Sequence, residues 1–283
     1  MKKSAAGAYS FIKELVQKIN ADDVQGISAQ LTYYLILSLF PFLIFVMTLI
    51  GYAHISLEDK IEQLRPVMPA EAFSIIEEIL QDVSEGRSQA LLSFGMLATL
   101  WAASKGINAI IKGLNRAYDI DESRVFWKVR GIAFLATLFI GFIVLLSILL
   151  LVLGSWLKTK VFLLADLPYG LQKLWDLLQY TVPLFVMFVV FTLLYWIAPS
   201  RRLRIKEVMP GACFSTVGWI ATSVLFSVYV NQFSDFTKTY GSLGGVMVLL
   251  IWLYISSIII LAGGEINAIL RSRRTRLPNG TNQ

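Results

Sequence analysis

Long apolar stretches alternate along this chain with short polar ones. Six of the apolar stretches, at 31–52, 90–111, 131–157, 180–198, 208–230 and 243–270, are each near the ~20 residues that a helix needs to cross a ~30 Å hydrocarbon core. The pattern predicts an all-α fold: a polytopic membrane protein with a six-helix transmembrane bundle, one domain over 1–283. Residues 1–29 carry an apolar stripe of Phe11, Leu15, Val16 and Ile19 flanked by lysines, which predicts an interfacial helix on the cytoplasmic face. After the first span, residues 53–89 hold two amphipathic patterns, Leu57, Ile61 and Leu64, then Phe73, Ile76, Ile79, Leu80 and Val83, parted by Pro66 and Pro69. They predict an outer, extracellular helical cap, with a lid hinged at the prolines as the alternative. Residues 271–283 are expected to form a basic cytoplasmic tail.

Charge orients this bundle. The segments before the first span, between the second and third, between the fourth and fifth, and after the sixth hold 17 Lys and Arg; the alternate loops hold 7, and Lys105 lies within a span. By the positive-inside rule both termini face the cytoplasm. The net charge of +6 is then topogenic, and with basic residues divided among four short segments no nucleic-acid partner is expected. Only 16% of residues are charged and 56% are hydrophobic, which leaves no room for a separate soluble domain. The polar N-terminal stretch lacks the apolar core of a cleavable signal. A lone Cys213 allows neither an internal disulfide nor a thiolate metal cluster.

Ionisable groups inside lipid are costly, so those present are candidates for function. Lys105 lies seven residues before Lys112, and Glu265 six before Arg271, which puts both roughly 10 Å inside the same boundary at 1.5 Å per residue. An ion pair between spans two and six follows; its alternative is a snorkelling Lys105 and a solvated Glu265. Lys105, Asn108, Lys112 and Asn115 share a helix face, and Asn267 extends that polarity from span six. Span one adds Tyr34 and Ser38, and Pro41 frees a carbonyl near Leu37. These residues predict a polar cavity open to the cytoplasm, set against ordinary interhelical hydrogen bonding. Arg201, Arg202, Arg204 and Lys206 would contact anionic lipid at its entrance. Gly263, Gly264 and Ala268 are read as packing positions, and Trp127, Trp156, Trp175, Trp196 and Trp219 as interfacial anchors.

Several of these residues fall in longer runs. Ser28-Ala29-Gln30-Leu31-Thr32-Tyr33-Tyr34 leading to Ser38-Leu39-Phe40-Pro41, Leu100-Trp101-Ala102-Ala103-Ser104-Lys105-Gly106 with Asn115-Arg116-Ala117-Tyr118, Pro210-Gly211-Ala212, and Tyr240-Gly241-Ser242-Leu243-Gly244 running to Trp252-Leu253-Tyr254 and Gly264-Glu265-Ile266-Asn267 resemble the YihY/BrkB family. The resemblance spans nearly the whole chain. It implies a bacterial inner-membrane location, six spans, and a lean toward lipid or solute transport. The family once carried the label ribonuclease BN. Metal-dependent hydrolysis needs clustered His, Asp or Glu, whereas this chain has one histidine, His54, and the largest group of its carboxylates, eight of 19, falls in the outer cap. No phosphate-binding loop of the GxxxxGK[ST] kind is present, which argues against ATP-driven pumping by this chain alone.

The function expected is a membrane transporter or flippase for a lipid or a polar, anionic solute. The alternative is a structural role in envelope assembly, and an enzyme is not expected. No cofactor or metal is expected; membrane lipids are the expected partners, and a homo-oligomer is compatible with a chain of this size.

Overall fold

The computed structural model describes residues 2–52, 89–157, 169–233 and 243–276. Every regular element among them is helical: α1 (Lys2–Ala21), α2 (Val24–Tyr52), α3 (Gln89–Ala117), α4 (Phe126–Leu157), α5 (Tyr169–Ile197), α6 (Ile205–Phe233) and α7 (Gly244–Arg276). Five of them are long and apolar enough to cross a membrane, over Val24–Phe45, Ser93–Ala117, Phe126–Ile143, Ile205–Val230 and Gly244–Thr275. The stretch expected as the fourth span corresponds to a shorter apolar run, Thr181–Ile197, in α5. The helical membrane architecture is thus the one that the apolar stretches specify. The expected outer cap lies outside the described residues, apart from Gln89 at the start of α3.

Helix ends depart from the span limits for local reasons. The expected 1–29 helix breaks at Asp22 and Asp23, where Asp23 adopts a left-handed φ of 53° and its carboxylate accepts a hydrogen bond from the Gly26 amide at 3.3 Å. That N-cap starts a new helix, so residues 24–29 belong to α2 and not to the interfacial helix. At the end of α3 the Ile120 amide donates to Asn115 O and the Asp119 amide to Arg116 O, both at 2.9 Å. Asp119 takes φ 54° in the position that such a C-cap usually gives to glycine. At the start of α6 the Glu207 carboxylate reaches back to the Arg204 amide at 3.1 Å. The basic tail begins as helix, since α7 continues to Arg276.

The chain divides into two compact units. The first comprises Met1–Asp22, Ile111–Gly218 and Ile260–Gln283. In its core the Tyr195 side chain is fully buried, donating its hydroxyl hydrogen to Ile260 O at 2.6 Å and meeting Ser215 Oγ at 2.6 Å. Gly211 of α6 lies against the Gly263 carbonyl of α7 so closely that a Cβ at Gly211 would strike it. The second unit comprises Asp23–Ile110 and Trp219–Ile259. There the Thr32 hydroxyl donates to Ser28 O at 2.7 Å and lies 3.4 Å from Ser257 Oγ. Trp219, expected as an interfacial anchor, packs edge-on against Trp252 at 5.5 Å, and the Trp252 indole donates to Ser223 Oγ at 3.1 Å.

Both units turn large apolar side chains outward, among them Leu135, Phe139 and Phe142 on α4 of the first and Phe94, Leu97 and Trp101 on α3 of the second. Polar side chains such as Ser28, Thr32, Thr137, Ser215, Glu265 and Asn267 lie buried instead. That distribution suits lipid, where a polar group facing outward finds no water.

Candidate functional site

In the first unit one face of α1 is half-buried, and it consists of Phe11, Glu14, Leu15, Lys18 and Ile19. This is the apolar stripe of the sequence rotated slightly, since Val16 is exposed and two charged residues take its place. Both are paired. Glu14 meets the Arg273 guanidinium at 2.7 Å, and Arg273 also lies over the Phe11 ring at 5.2 Å. Lys18 donates to Asp22 Oδ2 at 3.0 Å and to Ala117 O, the last carbonyl of α3, at 2.8 Å. Arg116 answers from α3 by donating to Ala21 O, the last carbonyl of α1, at 3.2 Å. Each helix therefore places a cation on the negative end of the other.

Two more carboxylates surround the Lys18 ammonium, Asp119 at 3.7 Å and Glu265 at 3.8 Å. The left-handed cap at the end of α3 brings Asp119 there. Glu265 reaches the same place because Gly264 beside it makes way for Leu114 of α3, whose Cδ2 a Cβ at that position would strike. Glu265 is 1% exposed, and its Oε2 has no hydrogen-bond partner. The Tyr118 hydroxyl is likewise buried without a partner, and burial pushes its phenol well above the ordinary range. Desolvation alone would lower the Lys18 pKa, but the hydrogen bond to Asp22 and the charges of Glu265, Asp22 and Asp119 outweigh it and hold Lys18 above its ordinary 10.5.

Asn115 and Asn267, two of the residues expected in the polar cavity, join backbone segments. Asn267 donates to Val208 O at 3.0 Å and accepts from the Gly211 amide at 2.7 Å, bridging α6 on both sides of Pro210, where proline interrupts the helical ladder. Asn115 donates to Glu122 at 2.7 Å and accepts from the Ser200 amide at 2.8 Å. Hydrogen bonds from Arg124 hold the Glu122 carboxyl below its ordinary value, and Arg124 also donates to Ala198 O at 2.8 Å.

The remaining expected residues fall as follows. Lys105 belongs to the second unit, where its ammonium lies 3.9 Å from the centre of the Trp101 ring and 5.8 Å from that of Tyr34; Glu265 belongs to the first, where Lys18 is its ion-pair partner. Ser38 is buried and donates to Leu35 O at 2.8 Å, while Tyr34, Pro41 and Asn108 are half-buried. Gly95 of α3 faces the Pro41 carbonyl, where a Cβ would sit at 3.0 Å. Arg201, Arg202, Arg204 and Lys206 are all exposed. A small pocket of about 80 Å³ nearby in the first unit is lined by Glu207, Pro210, Leu270, Arg271, Arg274 and Thr275, with Glu207 and Arg271 paired at 3.0 Å.

Sequence reasoning missed Lys18, Asp22 and Asp119. In the sequence Lys18 reads as a topogenic charge flanking the apolar stripe, though its place one turn beyond Leu15 and Glu14 puts it on the docked face. Among the described residues no group of three or more His, Cys, Asp or Glu side chains is placed to hold a metal ion. His54 and the acidic run 58–85 lie outside them.

The family model described as virulence factor BrkB matches residues 15–283. The Bacillus subtilis protein YfkH, described by name as ribonuclease-like, is 42% identical over 270 residues, 95% of this chain and 98% of that protein. A UPF0761 membrane protein of Alteromonas mediterranea is 26% identical over 90% of this chain and 85% of its own length, and one of Idiomarina loihiensis 24% over 95% and 93%. No solved structure matches.

Proposed function

Because the chain belongs to the virulence factor BrkB family of membrane proteins, we propose that it is a transporter or flippase carrying a lipid or a polar, anionic solute across the bacterial inner membrane, with six spans and both termini in the cytoplasm. The observation that carries this reading is Glu265: an acidic side chain 1% exposed within an apolar helix, its nearest cation supplied by another segment. Such a group costs several kcal/mol unless paired, and within membranes it belongs to ion and substrate pathways. The exposed Arg201, Arg202, Arg204 and Lys206 support it, since a run of cations beside a span gathers anionic headgroups. Lys105, over its aromatic rings, is the countercharge offered to such a substrate in the second unit.

A structural role in envelope assembly is the second reading. It is favoured by Asn115 and Asn267, whose amides are engaged in joining segments of the first unit. A hydrolytic reading, which the name of the Bacillus relative would invite, draws no support from the described carboxylates: Glu14, Glu122 and Glu207 are tied to arginines, and Asp22 to Lys18.

The test is reconstitution into liposomes with head-labelled anionic and zwitterionic lipids inside and out, and with anionic solutes in parallel. The wild type should move at least one of them, and Glu265→Gln should lose most of that flux while remaining folded. A folded wild type that moves none of them overturns the reading. Orientation is tested by a cysteine at Arg201 in a Cys213→Ser background, which an impermeant thiol reagent should reach only from the cytoplasmic side.

A further inference from the structure

The cluster around Lys18 is short of positive charge. Three carboxylates, Asp22, Asp119 and Glu265, face one ammonium within 3.8 Å. That ammonium spends two of its three hydrogens on Asp22 and Ala117 O, at hydrogen-bonding distance. Neither Asp119 nor Glu265 comes that near. Asp119 compensates with water, its side chain being 81% exposed, and Asp22 with the direct bond. Glu265 has neither. Its residue is 1% exposed, and Oε2 accepts no hydrogen bond. An ionised carboxylate in that position would be desolvated, short of donors and set beside two like charges.

We propose that Glu265 is a proton-binding site, and that its protonation governs how firmly α1 is held through Lys18. The proton comes from bulk water onto a Glu265 carboxylate oxygen and returns to water when the group ionises; the partly exposed Lys18 and the exposed Asp119 give the cluster its contact with solvent. The groups facing Glu265 are Lys18 and Asp22 from α1 and the turn after it, and Asp119 and Tyr118 from the turn after α3. With the proton bound, Lys18 is held by Asp22, Asp119 and Ala117 O alone. With the proton gone, the Glu265–Asp22 hydrogen bond is lost and a third negative charge draws on Lys18, so the hold on the end of α1 passes from a carboxyl pair to an ion pair. Its remaining ties, Glu14 to Arg273 and Arg116 to Ala21 O, carry no such switch in the same cluster. The proton site stands on this geometry; its use as the coupling step of transport rests on the reading above.

Infrared difference spectroscopy on the full-length protein in lipid vesicles tests it. At neutral pH the wild type should show the carbonyl band of a protonated buried carboxyl, shifted in heavy water and absent from Glu265→Gln. Two variants at partly exposed positions then move its titration in opposite senses. Lys18→Met removes the neighbouring cation and should raise the midpoint by about 1–3 pH units, whereas Asp119→Asn removes a like charge and should lower it. If Glu265→Gln does not fold, those opposed shifts carry the test alone. Absence of the band from folded wild type, or a band that neither variant moves, overturns the proposal. A band that behaves as stated in a protein without flux would leave the proton site standing and sink the transport reading.

Discussion

The two compact units meet the charge of a half-buried lysine in different ways. In the second, Lys105 lies over Trp101 and beside Tyr34, so its charge is met by the faces of aromatic rings. In the first, Lys18 is met by carboxylates and a helix-terminal carbonyl. An aromatic contact fixes one side chain and leaves no other group in need of it. A carboxylate cluster makes its buried members depend on the others, because the loss of one leaves Glu265 or Asp22 with unbalanced charge. The first unit is therefore the one in which a local change of charge reaches several helices at once.

The largest contrast between the units lies in how their helices touch. A Cβ at Gly211 would run into the Gly263 carbonyl and the Asn267 amide, backbone and a doubly bonded side chain that have nowhere to go. At Gly106 in the second unit the nearest atom is Leu31 Cδ1 at 3.3 Å, the end of a side chain that can turn aside. Gly211→Ala should cost at least about 3 kcal/mol and Gly106→Ala under about 1 kcal/mol, read as the yield and thermal midpoint of monodisperse protein in detergent. Equal costs would mean that the first unit is no more rigidly packed than the second.

Next in size is Lys18→Met. It removes hydrogen bonds to Asp22 and to Ala117 O and should cost about 2 kcal/mol, moderated by proton uptake among the carboxylates left behind. The consequence should be local: a cysteine at Leu15, in a Cys213→Ser background, should react faster once α1 loosens. The same probe reports pH. Because the folded pKa of Lys18 is raised, its contribution is fully present below the ordinary lysine value of 10.5 and is lost as pH climbs through the higher folded one. Loss of the Lys18 charge should accelerate labelling at Leu15 in that strongly alkaline range, apart from any change that the Glu265 proton makes at lower pH. Glu122 has the opposite sense, since its pKa is lowered: its contribution to the turn after α3 is present above the ordinary carboxyl range and lost as pH falls below it.

The helices were legible in the sequence because each span is a continuous apolar stretch, and lipid forces such a stretch to close its own backbone hydrogen bonds. The charged cluster was only half legible. Glu265 stands out against its apolar neighbours, but its partner lies in a segment outside any span, where a lysine looks like one solvated charge among several. Depth arithmetic draws candidates from the spans alone, so it offers Glu265 only Lys105 and never reaches Lys18. The two asparagines were legible as polar but their partners were not, since most of what they bond is backbone, at Pro210 and at a turn, and no side-chain spacing reports a carbonyl left without its donor. Asp119 was hidden by chemistry of another kind: a left-handed C-cap is a place where glycine is expected, and only an aspartate or asparagine there gains a side chain at tolerable strain.

The smallest effect belongs to Lys105. Its ring contact with Trp101 lies on one helix face, four residues apart, and Trp101 is 52% exposed. At such a site a cation over an indole contributes about 0.5–1 kcal/mol. Lys105→Arg keeps a cation within reach of the ring and should leave stability unchanged within that margin; Lys105→Met loses the attraction but keeps an unbranched apolar stem and should cost under about 1 kcal/mol. Trp101→Leu removes the ring and should cost a similar amount in a Lys105 background and nothing further in a Lys105→Met background, because the two changes delete one contact. The thermal midpoints of the four proteins, wild type, each single variant and the double, measure this directly. If Lys105→Met instead costs as much as Lys18→Met, Lys105 is held by a charge and not by a ring, and the difference drawn between the two units fails at its clearest point. If flux in liposomes falls for Lys105→Met while stability hardly moves, the lysine is kept for the substrate, since an aromatic contact this weak cannot be what retains a cation in an apolar helix.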